Sequence, residues 1–284
     1  MVLRIVCQGG LGNQLFVWAA AHQLNRMYGS RVEITYLDNS KPTSMRELYP
    51  LLEFCEHKIG ISQSRNLGLQ LDWSDRLISR APKLRNGYPY SRVLDDYLNP
   101  HSGLVQRKNA PMCVRGYFQN NELVDSTSVE TFSEIKRYII SLNPPRVLNS
   151  YGAIHVRRGD YVKSRNYYGV LTNNYYKGIT RQDMGYVLFV ENRSEVIDFE
   201  GQYNIKRIIA SDEASAWETL VLMYEAAELH MANSTLSWWA GKLSEGKSKR
   251  ITMPFPWHNK GHAFQELIIS PHFEIQKAEY EKYD

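Results

Sequence analysis

The sequence predicts an α/β protein of two successive domains, and three observations carry that expectation. Residues 2–6 form a short apolar run, followed by the glycine-rich turn Gln8-Gly9-Gly10-Leu11-Gly12-Asn13 and then by a segment of helical period. Asn143-Pro144-Pro145 breaks the chain decisively. Beyond that break a strand-and-turn pattern restarts at Tyr151, and the apolar runs 186–190, 207–210 and 229–232 follow, with the amphipathic stretch 217–227 between the last two.

In the first domain, Leu15, Trp18, Ala19, His22 and residues 24–27 recur with helical spacing from Gln14 onward. Asn13 is a fair N-cap and Gly29 a C-cap. The turn is not a GxGxxG fingerprint, because position 15 is Leu, so a nicotinamide reading is weak. Its glycines, Gly10 and Gly12, permit a ligand to approach backbone N–H groups at a helix start, or serve a purely structural tight turn. Residues 32–37 read as a second strand. Residues 39–110 carry Pro42, Pro50, Pro82, Pro89 and Pro100 and read as short helices and loops, including 46–54 and the 73–78 patch. Residues 112–119 suggest another strand ending in a loop, and 120–125 and 131–142 suggest helices.

Composition excludes some partners. The formal net charge is +4, and the 34 Lys and Arg are scattered without a basic arm, which argues against nucleic acid while leaving room for an anionic small molecule. The 19 Tyr and 6 Trp read mostly as half-buried amphipathic core residues, with some available to line a sugar cleft. Cys7, Cys55 and Cys113 have neither metal-type nor redox-type spacing, as expected of reduced thiols in a cytosolic protein. No Asp-x-Asp pair and no metal-spaced His/Cys cluster is present. No apolar segment approaches the roughly 20 residues of a spanning helix, so a soluble protein is expected.

Three junctions of the second domain concentrate the chemistry. The run from Ala153 ends in His155-Val156-Arg157-Arg158-Gly159-Asp160-Tyr161. On a strand His155 and Arg157 share one face and Val156 and Arg158 the other, Gly159 lets the chain turn, and Asp160 lies at the strand mouth. Planar guanidinium forks there suit a phosphate or carboxylate, although an exposed strand end with incidental charges would look the same. At Ser211-Asp212-Glu213 a carboxylate at a strand end either accepts a pair of N–H donors or caps the next helix. Asn233-Ser234-Thr235-Leu236-Ser237-Trp238-Trp239 places three hydroxyls and an amide where a strand becomes a helix, a pattern that can converge on one anion. Met253-Pro254-Phe255-Pro256-Trp257-His258 reads as a rigid turn, and residues 263–280 as a partly helical tail able to brace the first domain.

Taken jointly and in order, Gly9-Gly10-Leu11-Gly12-Asn13-Gln14-Leu15-Phe16, the His155–Tyr161 block and the Asn233–Trp239 block resemble the signature motifs of glycosyltransferase family 11, the α-1,2-fucosyltransferases. Arg115-Gly116-Tyr117-Phe118-Gln119, Ser211-Asp212 before Trp217, and Pro254 before Trp257 support the resemblance, which runs from about residue 4 to 258. It implies a GT-B architecture of two facing Rossmann-like domains. The first, 1–147, would serve mainly the acceptor and the second, 148–284, mainly GDP-fucose. It also implies an inverting, metal-independent transfer of L-fucose from GDP-β-L-fucose to the 2-hydroxyl of a galactoside, with no cofactor.

By the same resemblance Arg157 would contact the diphosphate and His155 support the site. Ser234, Thr235 and Ser237 would hold the donor phosphates, Asn233 would belong to the same donor site, Asp212 would read guanine, and Gly10, Gly12 and Asn13 would face the cleft. Asp160 is the first choice of general base, although it and Arg158 stand between chemistry and support. Three departures from the family pattern are Tyr168 before Gly169, Glu213 after Ser-Asp, and Leu236 after Ser-Thr. Rival readings are transfer of another GDP-deoxysugar such as GDP-colitose, a non-catalytic sugar- or nucleotide-binding module, and a nicotinamide oxidoreductase. The expected setting is cytoplasmic, with a peripheral contact to the inner membrane surface where a lipid-linked acceptor for a surface polysaccharide would lie.

Overall fold

A computed structural model describes residues 2–29, 31–37, 49–55, 62–66, 93–95, 113–144, 147–199, 201–259 and 265–282. Two units follow one another along the chain, Met1–Thr131 and Phe132–Asp284. Each holds a parallel sheet, so the α/β class agrees with the sequence.

In the first unit β1 (Val2–Cys7) pairs in parallel with β2 (Arg31–Leu37) and with β5 (Cys113–Arg115). With β3 (Ser62–Asn66) and β4 (Val93–Asp95) the order is β3-β2-β1-β5-β4. Leu3, Ile5, Val6 and Cys7 are all buried, the mark of a central parallel strand covered on both faces. Helix α1 (Leu11–Tyr28) buries Leu15 through Ala21 without interruption and ends at Gly29, whose φ of 58° is left-handed and whose N–H bonds Asn25 O at 2.9 Å. It starts three residues before the position suggested by Gln14, with Gly10 rather than Asn13 as N-cap. Gln14 supplies the reason: its buried amide donates to Gly9 O at 2.7 Å and accepts from Leu51 N at 3.1 Å, tying the turn to α2 (Leu51–Cys55). Within 39–110, α2, β3 and β4 are seen, and the expected 73–78 patch lies outside the described residues. Helix α3 (Asn121–Asp125) is capped by the Asn120 side chain.

Helix α4 (Val129–Ser141) spans the divide. Its Phe132 and Tyr138 pack on Trp239 and Trp217 of the second unit, at 6.1 and 4.9 Å between ring centroids. The division at Thr131/Phe132 falls within the first turn of this helix, on the N-terminal side of Pro144 and Pro145.

The second unit carries β6 (Gly152–His155), β7 (Tyr186–Val190), β8 (Ile205–Ala210), β9 (Glu228–His230), β10 (Arg250–Phe255) and β11 (Glu274–Lys277), in the order β8-β7-β6-β9-β10-β11 with every pairing parallel. Numbered within the unit this is 3-2-1-4-5-6, the doubly wound order whose switch point lies between the first and fourth strands, here β6 and β9. Helix α8 (Ala216–Glu225) begins with a full capping box, Ser215 with Glu218. Helix α9 (Thr235–Leu243) buries Trp238 and Trp239 completely, and Trp238 Nε1 donates to Ile268 O at 2.7 Å.

One expectation fails at the C-terminal end. The 253–258 stretch opens within β10 instead of forming only a turn. Pro254 is tolerated there because β9 pairs β10 only as far as Thr252, so no β9 partner is opposite the proline. The tail is described from Gln265 onward. It forms β11 against β10, and Tyr280 then bridges Leu171 and donates its hydroxyl to Pro256 O at 2.6 Å. No described helix is long and apolar enough to cross a membrane.

Candidate active site

The switch point of the second unit gathers the expected residues. β6 ends at His155, and the backbone runs on through Val156, whose N–H still bonds Phe189 O of β7 at 2.9 Å, into Arg157 and Arg158. Two short helices follow, α5 (Gly159–Lys163) and α6 (Arg165–Tyr168). β9 ends at His230, and Asn233 and Ser234 lead into α9. Tyr161 joins the two strand ends by donating its hydroxyl to Asn233 O at 3.0 Å. Asn233 donates in return to Tyr168 O at 2.9 Å, and the Tyr161 and Tyr168 rings stack at 4.7 Å.

His155 is buried, and desolvation, with the Arg157 charge adding to it, drops its pKa to about 3. It therefore stands as a neutral imidazole at neutral pH. Its Nδ1 has no hydrogen-bond partner, and neither does the buried Oδ1 of Asn233. The Asn233 amide nitrogen donates to the Tyr168 and Gly169 carbonyls, which leaves the orphan oxygen as an acceptor for a donor such as a ligand hydroxyl.

Arg157 is one-third exposed and meets two carboxylates: Nη2 reaches Asp160 Oδ1 at 2.6 Å and Nη1 reaches Glu191 Oε2 at 3.3 Å. Its guanidinium also lies 5.4 Å from the Tyr161 ring centroid. Ser234 N-caps α9 without a side-chain capping bond, so this hydroxyl, unlike that of a usual cap, stays uncommitted to the helix. No acidic residue occupies the first turn of α9. A guanidinium, a helix start and the Ser234 and Thr235 hydroxyls thus meet at neighbouring strand ends, an arrangement suited to a diphosphate.

Three expected residues behave otherwise. Arg158 turns away from this group: it bonds Asp198 through both Nη atoms at 3.1 Å each and donates to Glu195 O at 2.5 Å. At 15% exposure it clamps the Arg193–Phe199 helical turn to β6 and is committed to structure. Ser237 is also withdrawn, because its fully buried hydroxyl bonds back to Ser234 O at 3.1 Å and Ala232 O at 3.4 Å. Asp212 is exposed just past β8 and does not cap α8, a role taken by Ser215. Its neighbour Glu213 is the acid used locally, accepting from Ala210 N at 3.1 Å and Arg193 Nη2 at 2.6 Å, which together hold its carboxyl below the usual range. Gly159, where the chain turns, is the first residue of α5.

Gly10, Gly12 and Asn13 form a separate group at the switch point of the first unit, between β1 and β5. Gly10 is exposed with open space around it, Gly12 is buried in the first turn of α1, and Asn13 Oδ1 accepts from Gln119 Nε2 at 2.9 Å. Gly9 is required to be glycine by its φ of 76° and by Asn13, which sits where a Cβ would go. Sequence reasoning overlooked Glu191. Its signal was available: an acid directly after the apolar run 186–190 repeats the strand-end pattern of Asp160 and Asp212.

A model of glycosyl transferase family 11 matches residues 114–268. The O-antigen biosynthesis glycosyltransferase WbnK of Escherichia coli is 26% identical over 288 aligned positions, covering 88% of this chain and 92% of that protein. Among solved structures, the fucosyltransferase NodZ from Bradyrhizobium aligns at 13% identity over 86% of this chain and 93% of its own, with a TM-score of 0.47. A FUT1 mutant of Arabidopsis thaliana in complex with GDP aligns at 11% identity over 88% and 70%, with a TM-score of 0.48.

Proposed function

The chain belongs to glycosyl transferase family 11, and from that premise we propose that it transfers L-fucose from GDP-β-L-fucose to the 2-hydroxyl of a galactoside-type acceptor, forming an α-1,2 linkage in a surface glycan. The observation that carries the reading is Arg157 over the ring of Tyr161, whose hydroxyl bonds Asn233 O just before α9, at the crevice between β6 and β9. The motif blocks named above support GDP-fucose as donor. WbnK, an O-antigen biosynthesis glycosyltransferase, supports a surface polysaccharide as destination.

In the proposed reaction the acceptor oxygen attacks the anomeric carbon from the face opposite GDP. The new C–O bond forms as the bond to the β-phosphate breaks, with inversion and through an oxocarbenium-like transition state. GDP departs with the bonding electron pair. Arg157, the N–H groups at the start of α9 and the Ser234 and Thr235 hydroxyls meet the charge growing on its phosphate, a contribution of about 3 kcal/mol for one well-placed donor. No metal is needed in this scheme. Neutral His155 serves as a hydrogen-bonding wall rather than a cation. Asp160, once the diphosphate takes its place on Arg157, is an exposed carboxylate able to accept the acceptor's proton.

The test is incubation of the purified protein with GDP-fucose or GDP-colitose and a galactoside, with and without EDTA, and product linkage read by NMR. An α-1,2-fucoside formed equally well in EDTA is the expected result. Transfer only from the other donor, another linkage, or dependence on a divalent ion would overturn the corresponding part. Arg157→Ala should abolish turnover and keep the fold.

A further inference from the structure

The two carboxylates on Arg157 differ in their freedom to leave it. Asp160 is 63% exposed, and its helix α5 buries none of its residues. An exposed ion pair of this kind is weak and readily exchanged. Glu191 is anchored. Its backbone carbonyl accepts from Ser211 N at 3.3 Å and Ser211 Oγ at 2.9 Å, which fastens the end of β7 to the end of β8. Its Oε2 is buried. Its carboxylate also fills the space beside Gly159, where an added Cβ would lie 1.8 Å from Oε2 and 2.4 Å from Cδ. The φ of Gly159 is not in the left-handed region, so what a methyl group there would disturb is the Glu191 carboxylate and not the backbone.

We propose that Glu191 is the positioning residue of Arg157. It holds the Nη1 edge of the guanidinium while the donor diphosphate replaces Asp160 at the Nη2 edge, and Gly159 is the gap that admits it. The planar fork makes this division possible, since its two edges donate in different directions. The inference rests on the proposed role of Arg157 as the diphosphate contact. Glu191 adds no attraction for an anion, so its effect falls on aim rather than affinity. An unaimed arginine still draws the diphosphate in, but no longer meets the charge where it develops.

Steady-state kinetics with GDP-fucose and a galactoside test this. Glu191→Ala should lower kcat about tenfold or more, the scale of one misplaced charge-assisted contact, with donor KM changing less than about threefold. Glu191→Gln keeps the shape and an accepting oxygen and should recover most of kcat. Gly159→Ala should reproduce the Glu191→Ala loss, because its methyl displaces the carboxylate. In the Glu191→Ala background it should add nothing further. Wild-type kcat in Glu191→Ala, or a Gly159→Ala loss that simply multiplies that of Glu191→Ala, overturns the proposal. If Glu191→Ala does not fold, the Gly159→Ala loss and the Glu191→Gln retention decide alone. Arg157→Ala separates the two readings: full turnover there sinks the diphosphate assignment itself, whereas collapse there with an unaffected Glu191→Ala sinks only the positioning role.

Discussion

His155 gives the sharpest quantitative expectation, because burial holds its pKa near 3 while the unfolded chain restores the ordinary value of about 6.5. The folded-state pKa is depressed and the group is a base, so between those two values the unfolded chain binds the extra proton and stability rises with pH. The contribution is complete above about pH 6.5 and is lost as pH falls toward 3. Lowering the pH from 7 to 5 should remove about 2 kcal/mol through this one side chain. Urea unfolding of the wild type and of His155→Asn at pH 5, 6 and 7 measures it. Other groups titrate in both proteins and cancel in the comparison, so the difference between the two stabilities should shrink by about 2 kcal/mol as the pH drops from 7 to 5. A gap that stays constant across the range would show that His155 is not held neutral by burial, and would remove the reason for treating it as a neutral wall beside the diphosphate.

The remaining expectations concern residues whose roles the structure reassigns. Arg158→Ala should lower unfolding stability by about 2 kcal/mol, through loss of the Asp198 and Glu195 contacts, and reduce turnover far less than Arg157→Ala. Equal kinetic damage with unchanged stability would return Arg158 to the donor site. Ser237→Ala should cost about 1 kcal/mol and leave the calorimetric Kd for GDP unchanged, whereas Ser234→Ala should weaken it. A weakened Kd in Ser237→Ala refutes that division. Gly152→Ala should destabilise by about 1–3 kcal/mol, since its Cβ would fall 2.4 Å from the Tyr186 ring in the sheet interior, and a thermal melt within error of wild type would contradict the packing described.

How far the site was legible in the sequence depends on which interactions are local. The pairing of Arg157 with Asp160 spans three residues, and the start of α9 follows directly from the apolar run before it, so both could be read from spacing. The commitments of Arg158 and Ser237 could not. Arg158 is claimed by Asp198, forty positions away, through a helical turn that no periodicity announces, and adjacent arginines look alike until a partner separates them. Ser237 has the residue type of a phosphate ligand, but its place one turn into a buried helix turns the hydroxyl back on the backbone. The fold shows the same division. β6, β7 and β8 announce themselves as apolar runs, but β10 hides behind Pro254 and β11 is mostly exposed and polar, so the order that makes β6 and β9 neighbours depends on strands the sequence disguises. That order is what brings Arg157 and Ser234 together. The same adjacency of β6 to β7 places Glu191 against Gly159, a glycine whose meaning lies in a residue thirty-two positions later rather than in its own backbone. The local motif therefore supplies the charge, and the strand order supplies the neighbours that determine what each charge is free to do.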